Sequence, residues 1–148
     1  MERTDRLSLA DMRERDGERW SAVLDGAGAA SGLIPGAILE AQFQAADGAF
    51  LVFTTQDVPF EEQLDLVLLD RELRVLDRAT LAAAYATGAL RDLRLDAGDS
   101  ASFSFFGQDR WRVACSLTPR WRLPRLGPPG LQRAPRLRSR LRLDRRDS

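Results

Sequence analysis

The stretch "AILEAQFQAADGAFLVFTT", residues 37–55, decides how the chain is read. Apolar and polar residues alternate with a period of two on both sides of Asp47-Gly48, a dipeptide suited to a tight hairpin turn with positive φ at both positions. With a two-residue loop, counting places Phe43 opposite Val52, Ala45 opposite Phe50 and Ala41 opposite Thr54, which gives one apolar face. Gln42–Phe53 and Gln44–Leu51 would form the mixed face behind it.

The same period continues downstream. "EQLDLVLLD" predicts a third strand, with Leu64, Leu66 and Leu68 on one side and Asp65, Val67 and Leu69 on the other. "RELRVLDRATL" predicts a fourth. "AAAYATG", ending at Gly88, reads as a loop or one helical turn. Three more strands follow in "ALRDLRLDAGDSASFSFFGQDRWRVACSL", where Phe103 and Phe105 alternate with serines, and Trp111, Val113, Cys115 and Leu117 alternate with Arg110, Arg112, Ala114 and Ser116. About seven strands at spacings near ten residues predict an antiparallel meander that forms a sandwich or small barrel over residues 37–123. Its expected core is Leu39, Phe43, Phe50, Val52, Leu66, Leu68, Leu93, Leu95, Phe103, Phe105, Trp111 and Val113, enough for a stable fold at about 1.5–3 kcal/mol per buried large side chain.

Upstream, Leu9, Met12, Trp20, Val23 and Leu24 recur at roughly helical spacing, and Ser8 with Asp11 resembles a capping box. These predict a short N-terminal helix within residues 5–24, with a short strand at 19–24 as the competing reading. "DGAGAASGLIPG", residues 25–36, reads as a flexible linker. Downstream, residues 124–148 are broken by Pro and Gly as far as Pro135 and then crowded with arginine, so a disordered basic tail is expected.

Composition excludes more than it assigns. The 148 residues suit one domain, and the chain has no His, Lys or Asn and a single Cys. There is therefore no Ser-His or Cys-His nucleophile pair, no imidazole or Cys-rich metal site, no Schiff-base or phosphate-loop lysine, and no intrachain disulfide. Any enzyme would have to run on Asp, Glu, Arg, Ser, Thr or Tyr85. No cofactor and no metal site is expected. The charge-free apolar stretch at residues 81–90 is about half of the ~20 needed to span a bilayer, and the charged start is unlike a signal peptide, so a cytoplasmic location is expected. The zero net charge hides an asymmetry: residues 118–148 hold ten Arg against two acids, and the preceding residues hold 12 Arg against 20 acids.

Three features remain as candidate sites. Asp57, Glu61, Glu62 and Asp65 surround the leucines of the third strand. A glycosidase-type pair needs two carboxyls facing across a cleft, and a hard-cation site needs converging oxygens. This spacing offers neither, and the acids read as a solvated strand rim or part of a binding surface. Cys115 falls on an apolar row and reads as core, and Tyr85 as a loop packing residue. "RWR" occurs at 110–112 and again at Arg120, Trp121 and Arg122, placing an indole between two guanidiniums, as in stacking platforms for single-stranded nucleic acid. Trp111 continues a core row, and Trp121 is the more open of the two. The tail arginines, among them Arg136, Arg138, Arg140 and Arg142, read first as a solvated extension; the alternatives are binding to phosphate backbones or anionic lipid heads, or folding back on the acidic body.

The leading expectation is a non-catalytic β module that binds an unknown protein partner or other macromolecule through acidic loops and a strand face. The alternatives are nucleic-acid or polyanion binding through the Arg-rich tail, and a carboxylate-based hydrolase using Glu61, Glu62 or Asp65.

Overall fold

A computed structural model describes residues 1–58, 62–82, 88–107, 109–121, 131–132 and 138–146. The described residues are mainly strand, contain no helix, and pair antiparallel throughout. In chain order the strands are β1 (Glu2–Arg3), β2 (Ser8–Arg15), β3 (Glu18–Leu24), β4 (Ala30–Pro35), β5 (Ile38–Gln44), β6 (Phe50–Thr55), β7 (Leu64–Leu69), β8 (Val75–Leu81), β9 (Arg91–Asp96), β10 (Ser100–Ser104), β11 (Arg110–Trp121), β12 (Leu131–Gln132) and β13 (Arg138–Arg146). The seven strands expected between residues 37 and 117 correspond to β5–β11.

They form three layers. A central six-stranded sheet runs β1-β5-β6-β7-β8-β12, a four-stranded sheet runs β13-β11-β10-β9, and a three-stranded sheet runs β2-β3-β4. Among the described residues none closes into a barrel. Between the central and four-stranded sheets, Phe43, Leu51, Phe53, Leu64, Leu66 and Leu68 meet Phe103, Phe105, Trp111, Val113, Leu141 and Leu143. Across the other face of the central sheet, Phe50, Val52, Val67 and Leu69 meet Leu7, Val23 and Ile34. Every residue of β6 and β7 is buried as a result. The expected core is largely present, except that Leu95 is exposed and Leu39 and Leu93 are only partly covered.

The expected N-terminal helix is replaced by a hairpin. Asp16 and Gly17 have φ of 52° and 80°, the primed turn that a two-residue loop requires, and Arg15 pairs with Glu18 across it. The apparent helical spacing of Leu9, Met12 and Trp20 comes from two strands with a bulge at Asp11, where φ is 53° and the register shifts between Ala10 and Arg13. The expected linker contains β4. Asp25 holds the turn before it, its Oδ1 accepting from the amides of Ala27 at 2.8 Å and Ala29 at 3.1 Å.

The β5–β6 hairpin forms, but one residue out of the counted register. Its loop has three residues: Ala45 N–H donates to Ala49 O at 2.8 Å, Gly48 N–H donates to Ala45 O at 3.0 Å, and Gly48 takes φ 89°. Phe43 consequently lies opposite Leu51, and Gln42 opposite Val52. A one-residue slip moves a whole row to the other face. Phe43 and Val52 therefore belong to different cores.

Two glutamines join the three-stranded sheet to the centre. The Gln42 carboxamide accepts from Leu7 N–H at 2.9 Å and donates to Leu7 O at 3.0 Å; Gln56 does the same to Arg19, at 2.7 and 3.0 Å. Gly36 forms the corner between β4 and β5, with φ 141°. A Cβ there would lie 2.4 Å from Thr54 Cβ.

The expectation of a disordered tail fails for residues 138–146. β13 pairs with β11 over most of its length, placing Leu141 opposite Cys115 and Leu143 opposite Val113. β12 pairs with β8, so the segment after β11 reaches the central sheet before β13 returns to the four-stranded one. The buried Asp77 of β8 accepts, through Oδ2, from the amides of Arg140 at 3.0 Å and Leu141 at 2.9 Å.

Two outcomes follow for stability. Gly36→Ala should lower the unfolding free energy by about 2 kcal/mol or more through the Thr54 clash and the positive φ, seen as a lower urea midpoint at unchanged slope. Deleting residues 138–148 should remove about 3–6 kcal/mol through Leu141 and Leu143 alone. Full cooperative stability in that truncation would contradict the placement of β13.

Candidate functional site

Among the described residues, the acids singled out in the sequence, Asp57, Glu62 and Asp65, each have separate partners. Asp65 lies opposite Thr54 and Thr80, on the face of β7 away from Leu64, Leu66 and Leu68. That face is not wet, because the three-stranded sheet covers it, and Asp65 is 1% exposed. Its Oδ1 accepts from Thr80 Oγ1 at 2.5 Å and its Oδ2 from Gln63 Nε2 at 2.9 Å. The same Gln63 nitrogen donates to Glu18 Oε1 at 3.0 Å. Burial pushes the Asp65 carboxyl up to about 6, Glu18 adds to the rise, and the two hydrogen bonds and Arg78 oppose it. Both carboxylate oxygens are occupied by the chain's own side chains.

Glu62 closes its own loop. Its Oε1 accepts from Gln56 N–H at 2.6 Å and Gln63 N–H at 3.1 Å, and its Oε2 from Val58 N–H at 3.0 Å. Asp57 is exposed at φ 62°, 3.8 Å from Arg19 Nη1. Glu61 and Tyr85 lie outside the described residues. Among the described residues no three His, Cys, Asp or Glu side chains gather to hold a metal ion, and no helix is long and apolar enough to cross a membrane.

The arginines are more organised. Ala101, Phe103, Trp111 and Val113 fill the core side of the four-stranded sheet, so Ser100, Ser102, Ser104, Arg110, Arg112 and Ala114 stand on the other side. Pairing builds rows across it: Arg94, Ser102, Arg112 and Asp144 in one, Asp96, Ser100, Ala114 and Arg142 in the next. Arg91 joins through its pairing with Ser104. This face thus carries Arg91, Arg94, Arg110, Arg112 and Arg142 against Asp96 and Asp144.

The serines are 2–5% exposed and lie within reach of the guanidiniums. Arg112 Nη2 donates to Ser100 Oγ and Arg110 Nη1 to Ser104 Oγ, each at 3.1 Å; Ser102 Oγ donates to the Asp96 carboxylate. Trp111 points inward, its Nε1 donating to Asp109 Oδ2 at 2.5 Å, so the first RWR triplet buries its indole and leaves its arginines half-buried on the outer side. At one end of the face the β11–β13 register breaks between Cys115 and Arg120. An open depression of about 580 Å3 lies there, lined by Arg112, Ala114, Cys115, Ser116, Thr118, Arg142 and Asp144. Burial pushes the Cys115 thiol up to about 12, which disfavours the thiolate.

No protein-family model, curated protein or solved structure matches the chain.

Arg140 has a different place. Its Nη2 lies 2.5 Å from Asp47 Oδ2 and its Nε donates to Ser116 O at 2.7 Å, which makes it a clamp between β13 and the β5–β6 loop. Arg142 is exposed, 3.1 Å from Asp144. Arg138 and Arg120 pair through their strands' backbones with Trp121 and Ser139 respectively. The side chains of Arg138, Arg120 and Trp121 fall outside the described set, as do Arg122 and Arg136. The basic face was missed in the sequence because its arginines come from three separated segments. The usable signal was "SASFS" between "RDLR" and "RWR", alternating polar rows that share one side.

The buried acid gives a pH-dependent expectation. A folded-state value near 6 lies above the ordinary 3.8, so the native state binds the Asp65 proton more tightly than the unfolded chain does. Stability conferred by the protonated form is present at about pH 4 and falls as pH rises through 6, by up to about 3 kcal/mol. Asp65→Asn should flatten this part of the stability profile. An identical slope in both proteins would show that Asp65 titrates normally.

Proposed function

We propose that the protein is a non-catalytic binding module that holds a polyanion, foremost a nucleic-acid backbone, on the arginine–serine face of its four-stranded sheet. The observation that carries this reading is five arginines against two aspartates on one pleated face, with two of the guanidiniums hydrogen-bonded to serine hydroxyls. A guanidinium whose rotamer is already restrained loses less entropy when it meets a phosphate, and its fork matches two phosphate oxygens.

The adjacent rings of Phe103 and Trp111 are in the core, so these strands supply charge without a stacking platform. Recognition on such a face follows the backbone rather than the bases. The hydrolase reading has less support, since both oxygens of Asp65 and both of Glu62 are engaged within the chain. The tail idea changes form: the arginines of β13 act as part of a sheet, and deletion of the segment would test folding instead of binding.

The test uses the intact chain and a fluorescent 20-nucleotide DNA, single- or double-stranded. Affinity should fall steeply between about 50 and 200 mM salt, and Arg91→Ser and Arg94→Ser should each reduce the log–log salt slope by about one. Binding that ignores salt, or a double variant that binds as well as the parent, would overturn the proposal.

A further inference from the structure

We infer that the depression at the β11–β13 end of this face is a site for a phosphomonoester, the dianionic terminal phosphate of a nucleic-acid strand. The inference rests on the polyanion reading above and assigns one particular group to one part of the face.

Charge and shape separate this end from the rest. A phosphodiester within a chain carries one charge and is flanked by sugars on both sides, so it suits an open pleated surface. A terminal phosphate carries close to two charges and three strong acceptor oxygens. Such a group can enter a concave site and be contacted from several directions. The depression is concave, about 580 Å3, and is lined by the cationic residues Arg112 and Arg142 with the hydroxyl-bearing residues Ser116 and Thr118. It also exceeds what a lone phosphate fills, leaving room for the attached sugar.

Two details of the free protein fit this occupant. Arg112 Nε is buried and makes no hydrogen bond among the described residues; Asp96 Oδ2 is 3.9 Å away, too far for one. A buried donor without an acceptor is costly; the same guanidinium is held towards β10 by its bond to Ser100, so a phosphate oxygen reaches it when that side chain turns towards β13. Asp144 lies directly opposite Arg112 in the register and 3.1 Å from Arg142 Nε. Its carboxylate stands in for the ligand's charge and must give way when a phosphate enters. Asp144 therefore acts as an internal competitor that weakens binding.

The experiment measures affinities of the full-length chain for three probes: a single-stranded oligonucleotide with a 5′-phosphate, the same oligonucleotide ending in a 5′-hydroxyl, and a nucleoside 5′-monophosphate. The phosphorylated strand should bind about tenfold more tightly than its hydroxyl counterpart. Arg142→Ala, a change at an exposed side chain, should abolish that ratio. Asp144→Asn should raise affinity for the phosphorylated strand by about threefold, and by less for the other. Strong binding of the monophosphate alone would support the phosphomonoester site and assign it to a free ligand. Equal binding of the two strands, or a preference that survives Arg142→Ala, would overturn the inference and leave the polyanion reading intact. Failure of both strands to bind at low salt would remove both.

Discussion

The structure depends on the central sheet being covered on both faces. β6 and β7 send one row of side chains towards the four-stranded sheet and the other towards the three-stranded sheet, and none of their twelve residues is exposed. Polar side chains on these strands cannot rely on water, and each buried donor or acceptor left unpaired would cost about 1–3 kcal/mol. Each finds a partner inside the protein. Thr54 Oγ1 donates to Pro35 O at 2.7 Å, Thr55 Oγ1 to Glu40 Oε1 at 2.7 Å, and Asp65 accepts from Thr80 and Gln63. These bonds make the placement of the outer layers specific, where hydrophobic contact alone would leave it loose.

The same logic explains how the layers are joined. A carboxamide presents a donor and an acceptor side by side, as a strand backbone does, so Gln42 and Gln56 can each satisfy one residue of the facing sheet completely. On the opposite side Asp77, an acceptor only, takes two successive amides of β13 where its pairing with β11 is interrupted. The segment that composition marked as a tail is thus joined to the central sheet by the same kind of side-chain-to-backbone bond as the N-terminal hairpin.

How much of this was legible follows from where alternation is informative. It identified β5 to β11 and placed Asp65 on the face opposite Leu64, Leu66 and Leu68. It did not show that this face is buried, because the covering sheet comes from residues whose spacing imitated a helix. "LDLVLL" and "FLVFTT" carried the hint, since strands with one wet face do not run apolar on both sides. Asp-Gly occurs three times, and of these the pair at 16–17 makes the two-residue turn, whereas the pair at 47–48 sits in a three-residue loop. Only the backbone conformation of Ala46 and Asp47 separates these cases, and the dipeptide does not fix it. In the tail, Leu141 and Leu143 alternate with arginines as a strand should, but charge density outweighed four residues of pattern. The candidate face was less legible still, since its rows exist only once the β9, β10, β11 and β13 registers are known.

A chain whose only side-chain cation is arginine must use it for unlike purposes, and position decides which. Arg140, beside Asp47 and at the register break, is a partly buried clamp. Arg15 and Arg78 each lie 5.5 Å from the Trp20 ring, where a guanidinium gains from the ring's negative face. The half-buried arginines over Ser100 and Ser104 are restrained by those hydroxyls. Because a guanidinium stays protonated at any physiological pH and the chain has no histidine, the charge of that face cannot be switched by protons. What can tune it is ionic strength and the two aspartates placed among the arginines, Asp96 and Asp144. Those acids set the net charge of the face, so a net charge of zero for the whole chain is compatible with a locally basic surface.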